Sequence, residues 1–123
     1  MAAAPKVLIV EDEMMIAEYF KLVIENLGYA VCGIARTADD AVRLAQREDP
    51  ALVFMDVRLV GPRDGVDAAI EIYGRKPVTT VYITGSREQE TIDRIHSNHP
   101  AAILIKPILE DQLKEALTRF CPQ

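Results

Sequence analysis

Long apolar runs are missing from this chain. Nowhere in its 123 residues is there a stretch of the ~20 apolar residues needed to cross a bilayer as a helix. No block of Lys or Arg occurs either, and the formal net charge is −5. Nucleic-acid binding, which depends on cations facing phosphates, has no electrostatic footing here. The Met1-Ala2-Ala3-Ala4-Pro5 start lacks the charged and apolar regions of a secretory signal. Cysteine is scarce: Cys32 and Cys121 have no metal-ligand spacing and read as reduced thiols of a cytoplasmic protein. His96 and His99 fall at a helix end and in a loop, as surface residues. No Gly-rich phosphate loop follows the first apolar run, where Glu11-Asp12-Glu13 would repel a nucleotide. No segment of linker composition divides the chain, and 50% apolar with 27% charged residues is the balance of one globular domain.

What is present is a set of apolar runs that end on charged residues. Lys6–Val10 stops at Glu11-Asp12-Glu13, Ala51–Met55 at Asp56, and Ala102–Ile105 at Lys106-Pro107. Runs of this length rich in Val and Ile, each followed by a helical pattern, predict strands buried within a parallel sheet. In an open α/β sheet, ligands bind beyond the carboxyl ends of the strands, where strand order reverses. A shared edge would gather Glu11, Asp12, Asp56 and Lys106 in one crevice, a setting for a divalent metal and a phosphoryl group.

Between the runs the period changes to that of helices. Apolar residues at 16, 20, 23, 24 and 27 form one stripe, which Gly28 is placed to end; Met14 and Met15 read as packing residues. Tyr29–Ala35 is a second strand, and Thr37-Ala38-Asp39-Asp40 reads as a helix cap before an inward face of Ala41, Val42, Leu44 and Ala45. A turn-rich loop from Val57 to Asp64 leads to a short helix with Val66, Ala69, Ile70 and Tyr73 expected inward. Thr80–Thr84 is the fourth strand. The helix from about Arg87 to Ser97 has only Ile92 and Ile95 clearly apolar, so it is expected to be the least firmly held. Leu109, Leu113, Ala116, Leu117 and Phe120 line the last helix. Five strand–helix repeats predict a doubly wound parallel sheet with helices on both faces.

Four motifs in this order carry a specific resemblance: Leu8-Ile9-Val10 before Glu11-Asp12-Glu13; Phe54-Met55-Asp56 with Leu59 and Asp64-Gly65; Ile83-Thr84-Gly85; and Ile105-Lys106-Pro107. The chain resembles the receiver domain of response regulators in bacterial two-component signalling (CheY-like), over residues 6–120 with short tails at 1–5 and 121–123. The resemblance implies an α/β, flavodoxin-like (βα)5 fold of five parallel strands in order 2-1-3-4-5. It also implies a signalling role and not that of a conventional enzyme. Asp56 would accept a phosphoryl group from a sensor histidine kinase or a histidine phosphotransfer protein, with Mg2+ as cofactor. Asp12 and Asp56 would hold the metal directly, Glu11 through water, and Arg58 through its backbone carbonyl. Lys106 and Thr84 would engage the phosphoryl oxygens. Pro107 carries an expectation of a cis peptide bond.

Because the chain ends soon after the last helix, a stand-alone receiver is expected, acting as relay, sink or output. Its location would be the cytoplasm, its downstream protein target unknown. It would be a monomer or a weak dimer through the fourth helix, fifth strand and fifth helix, with its kinase docking on the first-helix face near Met14, Met15 and Ala17-Glu18. Three features depart from the family pattern. Ile103 stands where an aromatic switch residue is common, Gly61-Pro62-Arg63 lengthens the loop after Asp56, and Gly85 leaves the crevice open to water. Two readings stay open beside this one. A receiver-like scaffold without phosphotransfer would keep the fold alone. A phosphatase of the haloacid dehalogenase type also uses Asp, Thr, Lys and Mg2+, but would need an acid where Arg58 stands.

Overall fold

A computed structural model gives the structure of residues 4–123; Met1, Ala2 and Ala3, part of the expected amino-terminal tail, lie outside the described residues. Strands and helices alternate as β1 (Lys6–Val10), α1 (Met14–Asn26), β2 (Ala30–Ala35), α2 (Ala38–Glu48), β3 (Leu52–Asp56), α3 (Gly65–Arg75), β4 (Thr79–Thr84), α4 (Gln89–His96), β5 (Pro100–Ile105) and α5 (Glu110–Phe120). The sheet order is β2-β1-β3-β4-β5, and every neighbouring pair is parallel. This is the flavodoxin-like, doubly wound arrangement expected from the sequence. Strand order reverses between β1 and β3, so their carboxyl ends open the crevice.

Each central strand feeds two cores, because successive side chains point to opposite faces. Val7, Ile9, Leu52, Phe54, Val81 and Ile83 pack with α1 and α5. Leu8, Val10, Val53, Met55 and Tyr82 pack with α2, α3 and α4. A strand used on both sides must be apolar at every position, which is why these runs do not alternate.

The helices begin and end on local signals. Gly28, at φ 94°, follows α1 in the left-handed region where a side chain would be strained. The Thr37 hydroxyl oxygen accepts the Asp40 N–H at 3.1 Å, capping α2 as expected. Asp64 and Asp67 cap α3 reciprocally, each carboxylate accepting the other's backbone N–H at 3.0 Å.

Several facing assignments need correction. In α3 the inward residues are Val66, Ala68, Ala69 and Ile72; Ile70, expected inside, is 48% exposed, and Tyr73 is half-buried, stacked on His99 at 4.1 Å. The buried face centres on Val66, Ala69 and Ile72, one turn apart, which pack into the core shared with α2, and Ile70, one position off that stripe, turns out. Met15 is 88% exposed and Met14 43%, so neither packs in the core. Ala17, Phe20 and Ile24 mark the inward stripe of α1, and at 3.6 residues per turn Met15 lies nearly opposite Ala17. Ala17 is itself buried and cannot belong to an exposed docking face. Leu109 precedes the first turn of α5 and is 64% exposed; Leu113, Ala116 and Leu117 form that helix's buried face.

Candidate functional site

Glu11 is the first residue past β1. Its backbone N–H donates to the Ala35 carbonyl at 2.9 Å, which extends the β1–β2 ladder by one bond and holds the carboxylate beneath the crevice, fully buried. Asp12 follows at the rim, half-buried. Asp56 closes β3 and is also buried. Glu11, Asp12 and Asp56 each offer one carboxylate oxygen within 4.8 Å of the others.

Lys106 enters from two strands away. Its backbone N–H donates to the Thr84 carbonyl at 2.9 Å, so the chain leaves β5 still registered on β4. The side chain then crosses the end of β4, donating to Glu11 Oε1 at 3.1 Å and Asp56 Oδ2 at 3.2 Å. The following peptide bond, Lys106–Pro107, is cis. Thr84 is buried at the end of β4, where its Oγ1 accepts the Ser86 N–H at 3.0 Å. That contact uses an oxygen lone pair and leaves the hydroxyl proton free to donate.

The electrostatics are unbalanced in one direction. Burial raises the pKa of Glu11, and the neighbouring Asp56 raises it further against the opposing pull of Lys106. For Lys106, burial disfavours the ammonium, but Asp56 and Glu11 outweigh it and raise its pKa. Lys106 pairs with two of the three acids, and Asp12 stands beside them, so carboxylates outnumber the ammonium at the floor of the crevice. Buried hard oxygen donors with surplus charge are the donor set a divalent cation such as Mg2+ takes, and the residues present fit such an ion.

The wall opposite Lys106 allows no slack. A Cβ on Gly65 would lie 2.0 Å from the Asp56 carbonyl oxygen, a separation no side chain survives. The Gly65 N–H donates to the Val57 carbonyl at 2.7 Å, and the Val57 N–H to Ile83 at 2.9 Å. Above the acids opens a cavity of about 600 Å3, whose lining includes Asp56, Arg58, Thr84, Gly85, Arg87 and Lys106. Around Gly85 there is open space where a side chain would stand.

Glu11, Asp12, Asp56 and Lys106, expected together from strand ends alone, are thus brought together, as is Thr84, expected from the family resemblance, with Arg58 on the same cavity. Ile103 is not: it pairs with Tyr82 across β4 and β5 and packs into the core facing α2, α3 and α4. Two features escaped the sequence reading. Arg87 lines the cavity, and Arg94 of α4 grips Asp64; no local pattern marks either.

A doubly wound sheet with an acidic crevice at its switch point defines a flavodoxin-like receiver fold, and sequence comparison agrees. The family profile described as "Response regulator receiver domain" matches residues 7–118; the chain belongs to that family. It is 35% identical over 124 residues to the transcriptional regulatory protein PdtaR of Mycobacterium tuberculosis, covering 97% of this chain and 60% of that protein. It is 32% identical over 105 residues to the phyllosphere-induced regulator PhyR of Methylorubrum extorquens, covering 85% of this chain and 39% of that one. The signal receiver domain of a modulated diguanylate cyclase from Desulfovibrio desulfuricans G20 superposes with a TM-score of 0.88 at 32% identity, covering 95% of this chain and 93% of that one. The chain therefore spans less than two thirds of the length of each of these two curated relatives.

Proposed function

We propose that residues 6–120 form a phosphoacceptor domain in which Asp56 takes a phosphoryl group from a phosphohistidine. The donor would be a sensor histidine kinase or a histidine phosphotransfer protein, met in the cytoplasm; among the described residues no helix is long and apolar enough to cross a membrane. The observation that carries this reading is Lys106 Nζ donating at once to Glu11 and Asp56 beside a third acid, Asp12.

An Asp56 carboxylate oxygen attacks phosphorus. The new O–P bond forms as the P–N bond to the histidine breaks, and the electron pair leaves on the imidazole nitrogen. Asp12 and Asp56 would hold Mg2+ directly, with Glu11 through water and Arg58 through its carbonyl oxygen; when bound, the ion neutralises oxygen charge that would otherwise repel the nucleophile. Lys106 is placed to pair with one phosphoryl oxygen as a point charge. Thr84, its oxygen fixed by the Ser86 N–H, is placed to donate its proton to another. Positioning and charge do the remaining work, as is general in phosphoryl transfer.

Modification would draw Thr84 and Lys106 toward the new oxygens and bias the segment after β4. Contacts with a downstream protein, or a weak dimer through α4, β5 and α5, would read that change. In this scheme the domain turns over only its own modification. A scaffold without phosphotransfer would have no use for three buried or half-buried acids around one amine, and Arg58 removes the acid that a dehalogenase-type phosphatase needs.

Intact mass after incubation with Mg2+ and acetyl phosphate tests the reading. One phosphoryl adduct is expected on the wild type and none on Asp56→Asn or without Mg2+. An adduct that survives Asp56→Asn would overturn it.

A further inference from the structure

We propose that Arg94 is a positioning residue for the phosphoryl acceptor. By clamping Asp64 it holds the start of α3 against the Asp56 backbone, and so makes the seating of α4 and the geometry of Asp56 depend on each other. This rests on the phosphoacceptor reading above and adds a route by which the modification reaches α4.

The route is a short run of contacts. Arg94 Nη1 donates to Asp64 Oδ2 at 2.7 Å, and Nη2 to Asp64 Oδ1 and Asp67 Oδ1, both at 3.3 Å. The same two acids cap α3 reciprocally, so one guanidinium closes a ring through both capping carboxylates. Its planar fork makes this possible; an ammonium supplies charge without the paired geometry. Burial works against the Asp64 carboxylate, but Arg94 and the Asp67 N–H outweigh it and hold its pKa below the usual 3.8, as the contact requires.

From Asp64 the path to Asp56 has no slack. Gly65 is the next residue, pressed so close to the Asp56 carbonyl that a Cβ would sit 2.0 Å from its oxygen, and its N–H is bonded to the Val57 carbonyl at 2.7 Å. A shift at Asp64 is carried into the acceptor's backbone. In the other direction the path ends on α4, whose one buried residue is Ile95. With so little apolar area, α4's position leans on Arg94 and on the carbonyl of Asn98 just beyond it, which accepts the Tyr82 hydroxyl at 3.1 Å. Ile103 has no ring to rotate into the crevice, so the clamp takes over the link between site and helix. A half-exposed ion pair contributes little to stability, and its value here lies in geometry. Coupling of this kind is reciprocal: if α4 biases Asp56, modifying Asp56 biases α4 by the same factor.

The test compares wild type, Arg94→Gln and Arg94→Lys. Phosphorylation by acetyl phosphate with Mg2+, in which the P–O bond breaks and acetate leaves with the electron pair, is timed by intact mass. Amide exchange of residues 89–98 is followed with and without the donor. Arg94→Gln is expected to slow phosphorylation about 5-fold, the low end of allosteric coupling. It should also expose α4 amides beforehand, so that the donor changes their exchange little. Arg94→Lys should behave as Arg94→Gln in both readouts, since charge without the fork is insufficient. An unchanged rate in Arg94→Gln, a wild-type exchange response in that variant, or full rescue by lysine would each overturn the inference while leaving Asp56 as acceptor. A wild type that gains no phosphoryl mass would instead sink the phosphoacceptor reading, and this coupling with it.

Discussion

α5 buries Leu113, Ala116 and Leu117 in the core that also holds Phe20, Ile24 and Phe54. α4, on the other face of the sheet, buries Ile95 alone and is fastened to the start of α3 by Arg94 and, at its carboxyl end, to β4 by the Tyr82 hydroxyl. The first attachment is made of area, the second of a few directional bonds. Apolar contact is non-directional and fades gradually with displacement. A guanidinium fork or a buried hydroxyl holds at one geometry and lets go beyond it. A helix of the second kind suits a part that must change position, and one of the first kind suits a part that must not.

Mutations along the two helices sharpen that contrast. Leu117→Ala should cost ~2–5 kcal/mol, the range for a buried Leu, and unfold the chain globally in denaturant melts. A loss below 1 kcal/mol would mean that α5 is held no more firmly than α4. Gly65→Ala probes the one tight spot on the α4 side. Its Cβ has no room, so the loop after Asp56 must move, costing ~1–3 kcal/mol and abolishing rapid uptake from acetyl phosphate; wild-type uptake kinetics would refute the close contact. Tyr82→Phe removes the donor to Asn98 at ~1 kcal/mol and should raise amide exchange at the end of α4 alone. Uniform acceleration across the chain would show that Tyr82 serves the core and not the helix end.

The smallest effect concerns acid stability. A carboxylate with a depressed folded pKa contributes stability that is present above its ordinary value and lost as pH falls through the folded one. For Asp64 that window lies below 3.8. Arg94→Gln removes the charge that holds the value down, so the acid limb of the melting curve should move to higher pH. A limb that stays put would mean that the Asp67 N–H carries the depression by itself.

Much of this was legible in the chain because parallel strands buried on both faces must be apolar throughout, and so the charged residues that end them stand out. Glu11, Asp56 and Lys106 are such residues, and their meeting followed from strand order. Helix facing was harder. Ile70 and Ile72 both suit a core, and the helical period alone does not say which turns inward; in the fold Ile72 does. The Arg94 clamp spans 30 residues and leaves no periodic trace, because a guanidinium reaches across helices wherever the fold brings an acid near.

The loop segment Gly61-Pro62-Arg63 is stapled at both ends. Val60 forms a parallel backbone bridge with Thr37, while Arg63 binds Asp39 at 2.9 Å and Glu71 at 2.6 Å. That stretch of the loop after Asp56 is thereby pinned to α2 and α3. Gly85 to Glu88, which line the cavity above Asp56, are instead bonded within their own stretch, Ser86 N–H to Thr84 and Glu88 N–H to Ser86, so the two loops that follow β3 and β4 differ in how far their fastenings reach.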